Sequence, residues 1–271
     1  METRKNLPRH YRRSPLTRYT RNLLKKINRI IDEYKLISDG DRVCVSVSGG
    51  KDSLSLLHLL LEHIRFYPLN YTVGAVHVVS DFAERKNETR DYLGSIFTSL
   101  GIPFDFIDIS VTTGRDGNKA DPSCFWCAWK RRRALFSYVV EKGYTKLALG
   151  HHADDVAETT LLNLIYHGTL ETIIPQRAFF DGKFDVIRPL FYVRERELVK
   201  FAELAGFISS TCTCSRAEDS KRRVMKQFVR DLTKQSRHLH ANLWNAARAW
   251  REAFGDHPLH PNPREPYIQN D

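Results

Sequence analysis

The spacing of hydrophobic positions changes several times along the chain, and each change marks an element. Leu23, Leu24, Ile27, Ile30 and Ile31 recur at helical intervals ahead of the polar turn Ser38-Asp-Gly-Asp41. Val43, Val45 and Val47 then alternate with Cys44, Ser46 and Ser48, the period of two that belongs to a strand. Helical spacing returns with Leu54, Leu56, Leu57, Leu60 and Leu61. Further strands are expected at 71–79, 103–109 and 146–149, and further helices at 88–100, 128–142 and 154–166, with Gly101 and Gly143 as stops. Residues 110–122 read as a polar loop, and 171–189 as a loop or hairpin around Asp181-Gly182. Helices are expected again at 195–205, 217–234 and 242–254, whereas Pro258, Pro261, Pro263 and Pro266 argue against a packed element after them. Strands alternating with helices predict an α/β fold, a Rossmann-like parallel sheet with helices on both faces and helical extensions at its two ends. In such folds ligands gather at the carboxyl ends of the strands.

The organisation expected from this pattern is a basic arm and helix over 1–35, an α/β domain over 36–206, a cysteine-containing basic helical extension over 207–255 and a disordered tail over 256–271. No apolar run reaches the length of a membrane span, and the N-terminus lacks the apolar core of a secretion signal. The cytoplasm is therefore the expected location, although the Arg-rich, acid-poor first residues also fit an organellar transit peptide. The 271 residues carry 42 Lys and Arg against 32 Asp and Glu, a formal charge of +10, which favours a polyanionic partner. Seven of those cations lie before Asn22, and they suit either a solvated tail or an arm lying on phosphates.

The most informative stretch is Ser48-Gly49-Gly50-Lys51-Asp52-Ser53, set between the first strand and the helix that follows it. Glycines let a backbone approach an anion, the helix start offers unpaired N–H groups, and Lys51 adds a full charge. The common mononucleotide loop does not fit: it needs glycine where this chain has Val45, and Ser or Thr where it has Asp52. A second segment, Gly150-His-His-Ala-Asp-Asp-Val-Ala-Glu158, also follows a strand and opens a helix. Carboxylates there suit Mg²⁺, although aspartate at a helix start is favoured by the dipole in any case. Both segments fall at strand carboxyl ends, so they can share one site.

Five cysteines form two close pairs, Cys124/Cys127 and Cys212/Cys214, plus Cys44 among the valines of the first strand, where it reads as a small buried hydrophobe. Spacing alone leaves a structural zinc ion level with an iron–sulfur cluster, with a redox pair as a third reading. The run Lys130-Arg131-Arg132-Arg133 follows the first pair and suits either phosphate contacts or a solvated face.

Ser48–Ser53 resembles the pyrophosphate-binding loop of the PP-loop ATP pyrophosphatases. With Cys124-Phe-Trp-Cys127 and the arginines after it, Gly150–Asp155 with Glu158-Thr, Arg188-Pro-Leu190, Tyr192-Val-Arg-Glu195, and Cys214 before a basic helix, the chain is similar in order and content to the tRNA 2-thiocytidine synthetase family over about residues 23–232. The resemblance implies the adenine nucleotide alpha hydrolase-like fold and an enzyme that adenylates C2 of a cytidine, position 32 of tRNA, and replaces its oxygen with sulfur. It implies ATP or pyrophosphate contacts at Ser48, Gly49, Gly50, Lys51, Asp52, Ser53, Val76, His77, Gly150 and His151. Lys51, Asp52 and Asp155 would be catalytic, and Mg²⁺ would sit at Asp52, Asp154 and Asp155. A 4Fe–4S cluster would be held by Cys124, Cys127 and Cys214, with Cys212 as the alternative third ligand because a CxC stands here where the family has a second CxxC. Lys130, Arg131, Arg132, Arg133, Arg222 and Arg223 would meet tRNA. A homodimer is implied, as is a sulfur donor in the form of sulfide or persulfide from a cysteine desulfurase. The rival readings are a 2-thiouridine or lysidine enzyme of the same superfamily and a non-enzymatic zinc-stabilised RNA-binding module.

Overall fold

The computed structural model describes residues 17–81, 85–112, 124–207 and 221–255. In chain order the elements are α1 (Arg18–Tyr34), β1 (Arg42–Ser46), α2 (Lys51–Phe66), β2 (Thr72–Ser80), α3 (Lys86–Leu100), β3 (Phe104–Ile109) and α4 (Cys124–Glu141). There follow β4 (Lys146–Ala148), α5 (Ala153–His167), β5 (Gln176–Phe179), β6 (Phe184–Ile187), α6 (Glu195–Ala205), α7 (Lys221–Gln235) and α8 (Leu239–Phe254). The chain divides into two compact units, Met1–Ala153 with Ile174–Glu218, and Asp154–Ile173 with Asp219–Asp271.

The first unit contains the whole sheet, ordered β3-β2-β1-β4-β6-β5. β1 pairs in parallel with β2 and β4, β2 with β3 and β4 with β6, while β5 runs antiparallel to β6. The segment expected to be a loop or hairpin is thus a hairpin, with Phe180 and Asp181 at positive φ in its turn. β2 and β3 lie to one side of β1, and β4 and β6 to the other. The order in which strands are added therefore reverses between β1 and β4, and the loops leaving these two strands face a common crevice.

Helices cover both faces. The Phe97 ring of α3 packs at a tilt against Phe104 and Phe106, with centroids 5.2 and 6.2 Å away. On the opposite face Phe136, Tyr138 and Val139 of α4 bury Cys44, Val76, Leu147 and Val186. Cys44 is fully buried, as its place among valines predicts. α1 buries Leu23, Leu24, Ile27, Ile30 and Ile31, its expected apolar stripe, and Thr17 caps it by accepting from the Thr20 N–H. α1 is pinned to α6: Lys26 pairs with Glu197 at 2.6 Å, and the Tyr19 hydroxyl donates to the Glu197 carbonyl. Glu197 also accepts from the Arg194 N–H, which fixes the start of α6. In the second unit α5 and α7 share a small core of Ala157, Leu161, Met225 and Val229, with Leu239 and Leu243 of α8 against it. Among the described residues no helix is long and apolar enough to cross a membrane.

The buried His63 on α2 sets a pH limit on the fold. Its Nδ1 lies 3.1 Å from the Tyr71 hydroxyl and its Nε2 3.2 Å from Asn28 Oδ1. Burial lowers its pKa from 6.5 to about 4. Between those values the unfolded chain takes up a proton that the folded chain refuses. Stability is therefore intact above about pH 6.5 and lost as pH falls toward 4, with about 2 kcal/mol gone by pH 5. Urea unfolding should show this loss in the wild type, and a shallower dependence in His63→Gln; identical pH slopes would remove His63 as the cause.

Candidate active site

The phosphate loop is built by its own serines. Ser53 Oγ accepts from the Ser48 N–H at 3.0 Å and donates to the Gly50 carbonyl at 3.0 Å, while the Gly50 N–H donates to Ser48 Oγ. These bonds close the turn over six residues. Gly49 takes φ 89°, a conformation that favours glycine. Gly50 is the N-cap of α2 and supplies no capping side chain, so the first-turn N–H groups and the positive dipole end are presented by backbone.

Lys51 lies between two carboxylates, 3.1 Å from Asp52 Oδ2 and 3.3 Å from Glu195 Oε1. Burial works against its charge, but Asp52 and Glu195 outweigh burial and hold its pKa above the ordinary lysine value. Lys51 is thus a fixed cation at neutral pH. The other oxygen of Asp52, Oδ1, is buried with no hydrogen-bond partner among the described residues. His152, itself buried, places Nε2 3.9 Å from Asp52 Oδ2.

The loop after β4 reaches the same place. A Cβ on Gly150 would stand 3.1 Å from the Ser53 nitrogen and 3.2 Å from its Cα. Only a glycine lets the two backbones pass so closely without displacing one of them. Beside it, Arg188 Nε donates to His151 Nδ1 at 3.3 Å, and Arg188 Nη1 donates to the Ile174 carbonyl at 2.6 Å. Burial lowers the Arg188 pKa to about 10, helped by the charges of Arg177 and Arg132, and leaves it a cation at neutrality.

From β2, the Val47 N–H donates to the Val76 carbonyl at 2.8 Å, continuing the sheet into the loop. His77 lies 2.6 Å from the Val47 carbonyl through Nδ1, which must carry the proton because a carbonyl only accepts. Burial lowers the His77 pKa, and the charges of Arg131 and Arg90 lower it further. Arg131 lies on α4 and acts on His77 through its charge. Its Nε is buried with no hydrogen-bond partner among the described residues. Cys127 is half-buried, in no disulfide among the described residues, and one helical turn before Arg131, so the two positions share a helix face. Cys124 and Cys127 both occupy the first turn of α4, which begins earlier than the hydrophobic spacing predicts. Cys212 and Cys214 lie outside the described residues.

The expected Mg²⁺ and tRNA residues of the second unit meet one another. Arg222 Nη2 is 2.9 Å from Asp155 Oδ1, and Arg222 Nε is 3.7 Å from Glu158 Oε2. His240 Nε2 lies 2.9 Å from Asp154 Oδ1. Among the described residues no group of three or more His, Cys, Asp or Glu side chains is gathered to hold a metal ion. Site members not singled out from sequence are Glu195, His152 and Arg188 as partners of the loop and of its neighbour. Glu195 and Arg188 stand within conspicuous motifs, but their partners are far away in the chain.

A family model of the PP-loop domain matches residues 18–231. The tRNA-cytidine(32) 2-sulfurtransferase of Syntrophotalea carbinolica is 36% identical over 233 residues, 84% of this chain and 89% of that protein. The chain belongs to this family of PP-loop proteins. The Paraburkholderia xenovorans member is 36% identical over 264 residues, 92% of this chain and 78% of that protein. The member from Acinetobacter baylyi is 34% identical over 221 residues, covering 80% and 72%. Among solved structures, the U34-tRNA thiolase NcsA from Methanococcus maripaludis, which carries a 4Fe–4S cluster, superposes with a TM-score of 0.72 at 20% identity, over 86% of this chain and 79% of that one. That likeness confirms the fold.

The contact at Gly150 predicts a specific defect. In Gly150→Ala the new methyl group must push on the backbone of Ser53, and overpacking of this kind costs about 1–3 kcal/mol. The circular dichroism spectrum should be unchanged while calorimetric ATP binding weakens about tenfold or more. Wild-type ATP affinity in this variant would show that the two loops do not form one phosphate site.

Proposed function

We propose that the protein is an ATP-dependent tRNA sulfurtransferase that converts a cytidine, position 32 of the anticodon loop, to 2-thiocytidine. The observation that carries this reading is the run of neighbours from the phosphate loop to the CxxC helix. Ser48 follows Val47, whose carbonyl takes the His77 proton. His77 feels the charge of Arg131, and Arg131 is one turn from Cys127. Nucleotide activation and thiol chemistry thus have a common setting in the first unit.

The C2 oxygen of cytidine is a poor leaving group. It attacks the α-phosphate of ATP, pyrophosphate leaves, and C2 then carries an adenylate ester. Ser48 to Ser53 hold the β- and γ-phosphates through backbone N–H groups, and Lys51 offsets the charge that builds on them. Val76, His77, Gly150 and His151 line the nucleotide. Hydrosulfide adds to C2, AMP departs, and the proton of the added thiol is lost to solvent. Arg131 neutralises the adenylate phosphate, which suits its buried donor without a partner. Lys130, Arg132, Arg133, Arg222 and Arg223 take tRNA phosphates.

Two groups fit the donor set. Mg²⁺ suits Asp52, whose Oδ1 is a buried acceptor without a partner among the described residues, and it would supply charge neutralisation for the departing pyrophosphate. A 4Fe–4S cluster suits Cys124, Cys127 and Cys214 or Cys212. The two residues in the first turn of α4 sit where a helix dipole favours thiolates, and a cluster held by three cysteines would supply the iron chemistry for sulfur transfer. The sulfur derives from a cysteine desulfurase, and the enzyme works as a cytoplasmic homodimer.

Lys51→Ala should stop AMP formation, since one displaced phosphate contact in a dry site costs about 10²–10³ in rate. Cys127→Ala, purified without oxygen, should lose iron and thiolation together while keeping ATP binding. Mass spectrometry of tRNA from cells with and without the gene decides the product. Loss of 2-thiouridine rather than 2-thiocytidine would overturn the reading, and so would full activity in iron-free protein.

A further inference from the structure

The first two turns of α4 carry an aromatic pair that the reaction above does not use. Trp126 and Trp129 stack with ring centroids 4.9 Å apart and planes within 7° of parallel. Lys130 Nζ lies 5.0 Å from the Trp126 ring, and the Arg133 guanidinium 5.5 Å from the Trp129 ring. Both indoles are half-buried, and Phe125 beside them is exposed. A pair serving only to pack against the sheet would be buried, as Phe136 and Val139 are two turns further along the same helix.

We propose that Trp126 and Trp129 form a stacking platform for an unpaired base of the RNA substrate, a nucleotide flanking the target cytidine. Two observations point to a nucleotide. Each indole has one face against the other ring and a cation over it, so a base reaches the flat π surface by drawing Lys130 or Arg133 aside onto its own phosphates; every base has a matching face, so such a platform accepts single-stranded RNA without reading its sequence. The two cations sit at the same rings, where they can meet the phosphates on either side of a stacked base. The register on the helix adds a third argument. Trp126 lies between Cys124 and Cys127, and Trp129 lies between Cys127 and Arg131. A base held there fixes its neighbour within about one helical turn of the thiols and of Arg131. Unstacking a loop base costs little, and the platform replaces the stacking that the base loses. Because the occupant is substrate RNA, this inference rests on the proposed function.

The test uses the full-length protein and a synthetic anticodon stem-loop. The double variant Trp126→Leu/Trp129→Leu keeps apolar volume without a π face, and Trp126→Phe/Trp129→Phe restores one. Binding is measured across a salt series together with ATP binding as a check on the fold. The leucine variant should bind the stem-loop roughly 5- to 100-fold more weakly, with the salt slope of the wild type because no phosphate contact is lost. The phenylalanine variant should recover most of the affinity. Wild-type tryptophan fluorescence should be quenched by the stem-loop, and the quench should disappear in both variants even though Trp244 and Trp250 remain. Wild-type affinity in the leucine variant, or equal losses in both variants, overturns the platform while leaving thiolation in place. A wild type that binds no stem-loop at all overturns the platform and the proposed function together.

Discussion

The backbone of Gly150 passes against the backbone of Ser53, and the rest of the site depends on that contact. Two strands adjacent in the sheet, β1 and β4, end at the same level and send their loops into the crevice where the strand order reverses. The serine bonds within 48–53 fix the shape of one loop, and the absent side chain at 150 lets the other approach it. The polar side chains described around it are then held by position. Lys51 comes from the first loop, His151 and His152 from the second, and Arg188 reaches His151 from the segment after β6.

The electrostatics follow from this packing. A half-buried lysine would lose its proton more easily than an exposed one, yet Lys51 is kept charged by two carboxylates, one on its own helix and one at the start of α6. α6 is in turn tied to α1 through Glu197, which accepts from Lys26 and from the Arg194 N–H. Lys51 is therefore positioned by a residue 144 positions away in the chain, on a helix itself anchored by α1. The match to the PP-loop family model, which runs from residue 18, takes in α1.

Much of this was legible in the sequence. The change from a period of two to helical spacing located β1, the loop and α2, and the glycines with Lys51 marked the tight turn between them. The spacing placed the start of α4 at Ala128, but the helix begins at Cys124. Its first turn holds cysteines and tryptophans whose places are set by chemistry rather than by a buried stripe, so no period reveals them. The order of the strands, the antiparallel edge made by β5, and the pairing of Glu195 with Lys51 could not be read, because each joins residues distant in the chain. The second unit is a further case: 154–173 groups with the residues after 219, and only the small core around Ala157, Leu161, Met225 and Val229 makes that association.

That second unit brings together two proposed roles that draw on the same pair of charges. Arg222 is assigned to an RNA phosphate and Asp155 to a metal ion, and in the structure they pair with each other at 2.9 Å. The Arg222 side chain is 54% exposed, and an ion pair so open to water contributes no more than about 1 kcal/mol. A charge-assisted bond from arginine to a phosphate is worth about 1.5–3 kcal/mol, and a carboxylate bound to a divalent ion gains at least as much. The pair therefore opposes neither assignment. It keeps a carboxylate and a guanidinium neutralised at small cost, and each can be drawn away by a stronger partner of opposite charge. His240 on Asp154 stands differently: the contact is nearly enclosed, with the two side chains 10% and 13% exposed, so solvent does not weaken it in the same way. Of the two aspartates, Asp155 is the one that a metal ion could recruit with less rearrangement of α8.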